Sequence, residues 1–213
     1  MVINLESRIS EISARHNKHI KIGYIPGHFA TNHSHVNNYM DMTRLKTQHK
    51  MAKETAKELS TKLMSVHIDT IICLEGTEMI GAFLASELSS GGININSDIN
   101  VLTPELNSNN QMVFRDNTQK AVWGKNIMLL ISSVSTGKTI NRMVECLQYY
   151  NGNLTAISSI FSARKESHGF EINCIFSAND VPNYDTYPAG DCPLCKSGQK
   201  VDAIINSFGY SKI

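Results

Sequence analysis

Apolar positions along the chain follow two spacings. Short, nearly unbroken apolar runs occur in DTIICLEG (Asp69–Gly76), INVLTP (Ile99–Pro104), NIMLLIS (Asn126–Ser132), LTAISSIFSA (Leu154–Ala163) and INCIFSA (Ile172–Ala178). Between them, apolar residues recur every three or four positions. Leu45, Ala52, Ala56, Leu59 and Leu63 do so within Thr43–Met64. Ile80, Phe83, Leu84 and Leu88 do so within Glu78–Ser89, and Ile140, Met143, Val144 and Leu147 within Lys138–Tyr150. The first spacing predicts strands buried on both faces and the second amphipathic helices. Their alternation predicts an α/β fold with a largely parallel sheet of about five strands.

Outside the middle the pattern weakens. Ile3, Ile9 and Ile12 fit one face of a first helix, and Ile20–Pro26 reads as a short strand ended by proline. The stretch GHFATNHSHVNNYMDM (Gly27–Met42) is polar, rich in His and Asn, and has no period. Residues 105–125 are mostly polar, with a brief strand at MVF.

Composition narrows the class. With 213 residues, 41% hydrophobic and 18% charged, the chain suits a single globular domain with a sizeable core. A net charge of +1 gives no basic field for nucleic acid. No run approaches 18 apolar residues, so no membrane span is expected. The N-terminus carries Glu6 and Glu11 and lacks the apolar core of a signal peptide, so a cytoplasmic location is expected. Of the five cysteines, Cys73, Cys146 and Cys174 lie in apolar runs and read as buried thiols of a reducing compartment.

The most informative turn follows the most apolar strand. In IMLLISSVSTGKT (Ile127–Thr139) a buried run ends in a Ser/Thr/Gly turn that opens a helix. Ser135, Thr136, Gly137, Lys138 and Thr139 offer hydroxyls, backbone N–H groups and the positive end of that helix, an arrangement that receives an anion. A capped turn with nothing bound is the plain alternative. The mononucleotide phosphate loop fits at Gly137-Lys138-Thr139, but Ser132 stands where its first glycine belongs, and a nucleotide-hydrolysing loop is rejected on that ground. Cys192 and Cys195, in DCPLCKSG, form half of a zinc site. The remaining ligands could come from His28, His33, His35 or a partner chain, and a plain turn is the alternative. A thioredoxin-like role lacks the helix-start context.

Laid on IMLLISSVSTGKT, the loop resembles that of the type I phosphoribosyltransferases: four apolar residues (Ile127–Leu130), two acids, then a Thr/Gly turn (Thr136–Thr139). GHF (Gly27–Phe29) with Tyr39 and Asp41, the Ala163-Arg164 strand end and the CPLC tail are similar to the orotate members. The resemblance implies the family's α/β fold as one domain over residues 1–213, with an N-terminal hood at roughly 20–42 and a tail at roughly 186–213.

It further implies transfer of phosphoribosyl from phosphoribosyl pyrophosphate (PRPP) to orotate or a related pyrimidine, with release of pyrophosphate. Ser135–Thr139 would hold the 5′-phosphate. Gly76 and Thr77 would hold the pyrophosphate, with Mg²⁺ on the diphosphate to offset Glu75 and Glu78. Phe29 and Arg164 would face the base, and two chains would pair as a homodimer. The pattern departs from the family at one place: the acids that bind the ribose hydroxyls fall on Ile131 and Ser132. That departure motivates an alternative, a non-catalytic member that binds PRPP or a nucleotide. The family's mobile catalytic loop is not matched. Arg115, Lys120 and Lys125 are the cations available in its place.

Overall fold

The computed structural model describes residues 5–108 and 111–213. Three strands open the chain, β1 (Ser10–Ser13), β2 (Lys21–Ala30) and β3 (Ser34–Asp41), followed by α1 (Thr43–Thr47) and α2 (His49–Ser60). Then come β4 (Thr70–Leu74), α3 (Glu78–Ser89) and β5 (Asn100–Leu102), and a small ribbon of β6 (Glu105–Leu106) and β7 (Met112–Val113) with α4 (Asp116–Gln119). The second half holds β8 (Asn126–Val134), α5 (Lys138–Tyr149), β9 (Asn153–Ser162), β10 (Glu166–Ser167) and β11 (Phe170–Ser177). The tail adds β12 (Thr186–Pro188), α6 (Pro193–Lys196), β13 (Ala203–Asn206) and β14 (Gly209–Lys212).

The apolar runs assemble the main sheet in the order β10-β11-β9-β8-β4-β5. β11, β9, β8, β4 and β5 are mutually parallel, and β10 adds an antiparallel edge. Both faces are covered, as such sheets require. On one face Ile71, Cys73, Met128 and Leu130 pack with Leu59, Ile80 and Leu84 of α2 and α3. On the other, Ile72, Leu129, Ile131 and Ile157 pack with Ile140, Met143 and Leu147 of α5. Burial raises the Cys73 thiol to about 12 and the Cys146 thiol to about 11, so both are inert packing groups.

A second sheet, β12-β3-β2-β13-β14 with β1 also on β2, stands over one end of the first. Two expectations change here. Leu5–Arg8 forms a short 3-10 turn and Ser10–Ser13 a strand paired with Lys21–Tyr24, so Ile9 and Ile12 do not share a helix face. Ile9 lies across Gly23, where a β-carbon would come within 2.8 Å of its Cδ1, and strand pairing outweighs the local helical spacing. Ile3 lies outside the described residues. Pro26 does not end its strand either. β2 runs on to Ala30, and the register shift between Pro26 and Phe29 marks a bulge, where proline is tolerated. Among the described residues, no helix is long and apolar enough to cross a membrane.

Candidate functional site

The carboxyl ends of β4 and β8, neighbours in the parallel sheet, release the two turns on which the site is built. After β8 the chain turns through Ser135 and Thr136 to Gly137, which caps α5 in the left-handed region (φ 81°) and makes no side-chain cap hydrogen bond. The first-turn N–H groups of α5 are therefore left without a capping acceptor, and the positive end of the helix adds to their pull on an anion. After β4, Glu75 (φ 62°) and Gly76 (φ 77°) are both left-handed in succession. That conformation is unfavourable for a glutamate, and such strain collects at working sites.

Between the turns lies a cavity of about 520 Å³, within the range of small-molecule sites. Its floor is Leu74–Gly76 and Ile131–Thr139, its hood side includes His33, Asn38 and Tyr39, and its roof comes from the tail at Ile205–Gly209. Ser135, Thr136, Gly137, Lys138 and Thr139 all line it, as do Ile131, Ser132 and Gly76. Thr77 does not: it is fully buried, and its hydroxyl donates to the carbonyls of Leu74 and Leu130 at 3.0 Å each, tying β4 to β8.

The charges on the wall are mixed. Lys46, Lys138 and Arg142 face Glu75 and Glu78 across the cavity. Burial lowers Lys46 from its ordinary value, against the pull of Glu75, Asp41 and Glu78. Its ammonium donates to the carbonyls of Glu75 and Ser207, joining the β4 turn to the tail. Burial, then Arg142 and Lys138, hold His33 below its usual value. Burial raises Glu75. Its carboxylate accepts from the Ser132 hydroxyl at 2.8 Å and from the Ser133 N–H at 3.4 Å, and Thr139 also offers it a hydrogen bond. A carboxylate therefore does stand beside Ser132, supplied by the facing turn. The sequence pattern alone did not point to it, because Glu75 and Ser132 lie 57 residues apart.

The residues expected at the base lie elsewhere. Phe29 is fully buried and packs with Leu5, Ile25, Val36 and Tyr39 in the core of the second sheet. Arg164 is exposed and lies against the turn before α5, its guanidinium 3.4 Å from the Thr136 carbonyl and its Cδ 3.4 Å from where a β-carbon of Gly137 would stand. Arg115 makes two bonds to exposed Glu105, at 2.7 and 2.5 Å, and neither it, Lys120 nor Lys125 lines the cavity. Tyr39 and Tyr210 meet edge to face beneath the hood, and burial pushes the Tyr39 hydroxyl up to about 12, so it stays protonated. Lys46, Arg142 and the tail hairpin were missed by sequence reasoning. For the hairpin a signal existed, the turn-forming Asn206-Ser207-Phe208-Gly209 between two short alternating stretches.

Away from the cavity, Cys192 and Cys195 meet His28 and His35. One ligand atom from each residue lies within 4.8 Å of the other three. His33 is not part of this group and lines the cavity instead.

No protein-family model matches the chain. It is 26% identical over 180 residues to an orotate phosphoribosyltransferase of Thermoanaerobacter sp. (strain X514), covering 84% of this chain and 88% of that one. Among solved structures, it is similar to adenine phosphoribosyltransferase from Thermoanaerobacter pseudethanolicus, with a TM-score of 0.51 and 16% identity over 83% of this chain and 99% of that one. It is also similar to orotate phosphoribosyltransferase of Mycobacterium tuberculosis H37Rv in complex with PRPP, with a TM-score of 0.51 and 11% identity over 67% and 82%. At these identities the structural likeness is one of fold.

Proposed function

We propose, for a chain that has the type I phosphoribosyltransferase fold and is similar in sequence to an orotate phosphoribosyltransferase, that it binds PRPP in the cavity and transfers its phosphoribosyl group to a pyrimidine base, orotate or a relative, releasing pyrophosphate. The observation that carries this reading is the uncapped start of α5 behind the left-handed Gly137, opening into a cavity of ligand size. The N–H groups and hydroxyls of Ser135–Thr139 hold the 5′-phosphate, with Lys138 and Arg142 adding charge. The turn at Gly76 takes the pyrophosphate.

Glu75 takes over the task that Ile131 and Ser132 leave undone. Its carboxylate accepts from the ribose hydroxyls and offsets positive charge at the anomeric carbon. Glu75 and Glu78 are hard oxygen donors on the wall, which fits Mg²⁺ carried in with the diphosphate; bound there, the ion would neutralise the leaving group. The base lies under the hood, near Asn38 and Tyr39. A homodimer belongs to the same reading and rests on the family resemblance alone, and a cytoplasmic location fits the free buried thiols.

The second reading is a PRPP-binding or nucleotide-binding member without turnover. It is favoured by Ile131 and Ser132, both fully buried on the cavity floor where the loop carries no acid of its own. Calorimetry with PRPP and Mg²⁺, followed by a pyrophosphate-release assay with orotate, separates the two. Binding with release supports transfer, and binding without release supports the second reading. Absence of PRPP binding overturns transfer and the PRPP-binding form of the second reading, and leaves only its nucleotide-binding form, which calorimetry with a nucleoside monophosphate then tests. If Glu75 acts on the ribose, Glu75→Gln lowers turnover about tenfold or more while binding of inorganic phosphate alone tightens.

A further inference from the structure

We propose that His28, His35, Cys192 and Cys195 form a tetrahedral zinc site that clips the C-terminal tail onto the hood, independently of what the cavity binds. Nε2 of His28 lies 3.6 Å from each cysteine sulfur and 2.9 Å from Nδ1 of His35, and Nδ1 of His35 lies 3.3 Å from the Cys195 sulfur. Zinc with Zn–N near 2.05 Å and Zn–S near 2.3 Å needs ligand separations of about 3.4 Å between nitrogens, about 3.5–3.6 Å between nitrogen and sulfur, and about 3.8 Å between sulfurs. The two separations from His28 to sulfur fall on these values, while those from His35 Nδ1 to the Cys195 sulfur and to His28 Nε2 are about 0.3–0.5 Å shorter, a gap that small side-chain rotations close. Two thiolates with two imidazoles in such a set suit zinc over the hard cations.

The second observation is the tautomer of His28. Its Nδ1 lies 2.8 Å from the Gln199 carbonyl, which can only accept, so Nδ1 carries the proton and Nε2 presents its lone pair to the sulfurs. That outer hydrogen bond is the usual way a histidine ligand is oriented toward a metal. His28 and Cys192 are buried while Cys195 is exposed, which leaves an entry path. Proline at the first position of α6, with Cys192 as its cap residue, fixes the spacing of the two thiols across one short turn.

The four ligands join segments that are remote in sequence: His28 and His35 belong to β2 and β3, and the cysteines to the tail. The tail continues from α6 through Asp202, which accepts from the His28 N–H at 2.9 Å, into β13 and the cavity roof at Ile205–Gly209. A metal at the quartet therefore holds the roof in place.

Elemental analysis of the reduced, purified full chain should find one zinc per chain. Cobalt replacing it should give the visible ligand-field bands of a tetrahedral thiolate site. Cys195→Ser and His35→Ala should lose the metal or shift those bands, and Cys174→Ala should not. Stripping zinc from the unaltered chain with a chelator should lower Tm by about 10 °C, restored by adding zinc back, so the result does not depend on a variant folding. A reduced chain that neither carries zinc nor takes up cobalt overturns the site, as does Cys195→Ser with unchanged bands. A chelated chain with unchanged Tm overturns the clip. None of these readouts involves PRPP, so they stand or fall apart from the proposed function.

Discussion

The two sheets differ in how far apart along the chain their most distant partners lie. In the parallel sheet neighbouring strands stay within a few elements of one another: Asn126 bonds Asn153, 27 residues on, and Asp69 bonds Asn126, 57 residues on. In the hood, His28 meets Asp202 across 174 residues and Asn37 meets Asp185 across 148. The first sheet is filled by Ile, Leu and Met from both faces. The hood has a small core of its own, Leu5, Ile25, Phe29, Val36, Tyr39 and Ala203, shares Ile22 and Met40 with the main core, and leans on polar links such as Arg8–Asp202 at 3.1 Å. A region whose local hairpins are closed only by a remote tail, over little apolar area of its own, has less free energy holding that closure. The parallel sheet should therefore act as a rigid seat for the turn at Ser135–Thr139, and the hood as a cover that can be loosened alone.

The severest test cuts the cover off. Removing residues 191–213 deletes both cysteines, β13 and β14, and should raise amide exchange across β2 and β3 by about a hundredfold or more while β8 and β9 keep their protection. Equal loss in both sheets would mean that the chain unfolds as one unit and the contrast is false. Next in size is the seat itself. Gly137→Val places a β-branched residue at φ 81°, which costs about 1–2 kcal/mol for the left-handed backbone alone. It should cut phosphate or PRPP affinity about a hundredfold and leave hood exchange unchanged.

Asp202→Ala sits lower on the scale. It removes the partner of Arg8 and the acceptor of the His28 N–H, for a loss of about 1–3 kcal/mol, or several degrees in Tm for a chain of this size. The loss should be confined to hood amides, and exchange mapped by mass spectrometry would reveal it if β4 and β8 were affected too.

The same contrast explains what could be read from sequence. Ile71–Leu74 and Ile127–Leu130 announce buried strands because both faces of a parallel sheet demand unbroken apolar runs, and the turn at Thr136–Thr139 carries its chemistry in adjacent residues. The hood strand Ser34–Asp41 gives no such sign. It is flanked by β2 on one side and by distant β12 on the other, and its buried positions include Ser34 and Asn38. Phe29 was expected at the base because a motif match carries no information on which way a ring points, and the small hood core takes it up. Cys192 and Cys195 were visible as half a metal set, but the choice of His28 and His35 over His33 depends on where the turn between β2 and β3 ends, with His33 in the turn and His35 inside β3, which the polar composition hides.

The smallest expected effect concerns the seat and its one strained acid. Burial raises Glu75 above its ordinary value of 4.5, with Ser132, Ser133, Lys46 and Thr139 opposing the shift. An acid whose value is raised by folding favours the fold below its unfolded value and loses that favour as pH climbs through the folded one. Ionising this carboxyl is thus a net cost to the empty site, and Glu75→Gln removes it while the amide can still accept from Ser132. The variant should melt higher than the unaltered chain by about 2–4 °C at pH 7–8, equivalent to roughly 1 kcal/mol, and the gain should fade to nothing below about pH 4.5. A non-titrating hood change shows no such profile if the two regions are energetically separate, so Asn37→Ala, which removes the acceptor of the Asp185 N–H, measured over the same pH series serves as the control. A Glu75→Gln gain that persists at low pH would mean that the charge is not its source, and that the strain of φ 62° at this position, which glutamine shares, has been offset by repacking of the cavity floor.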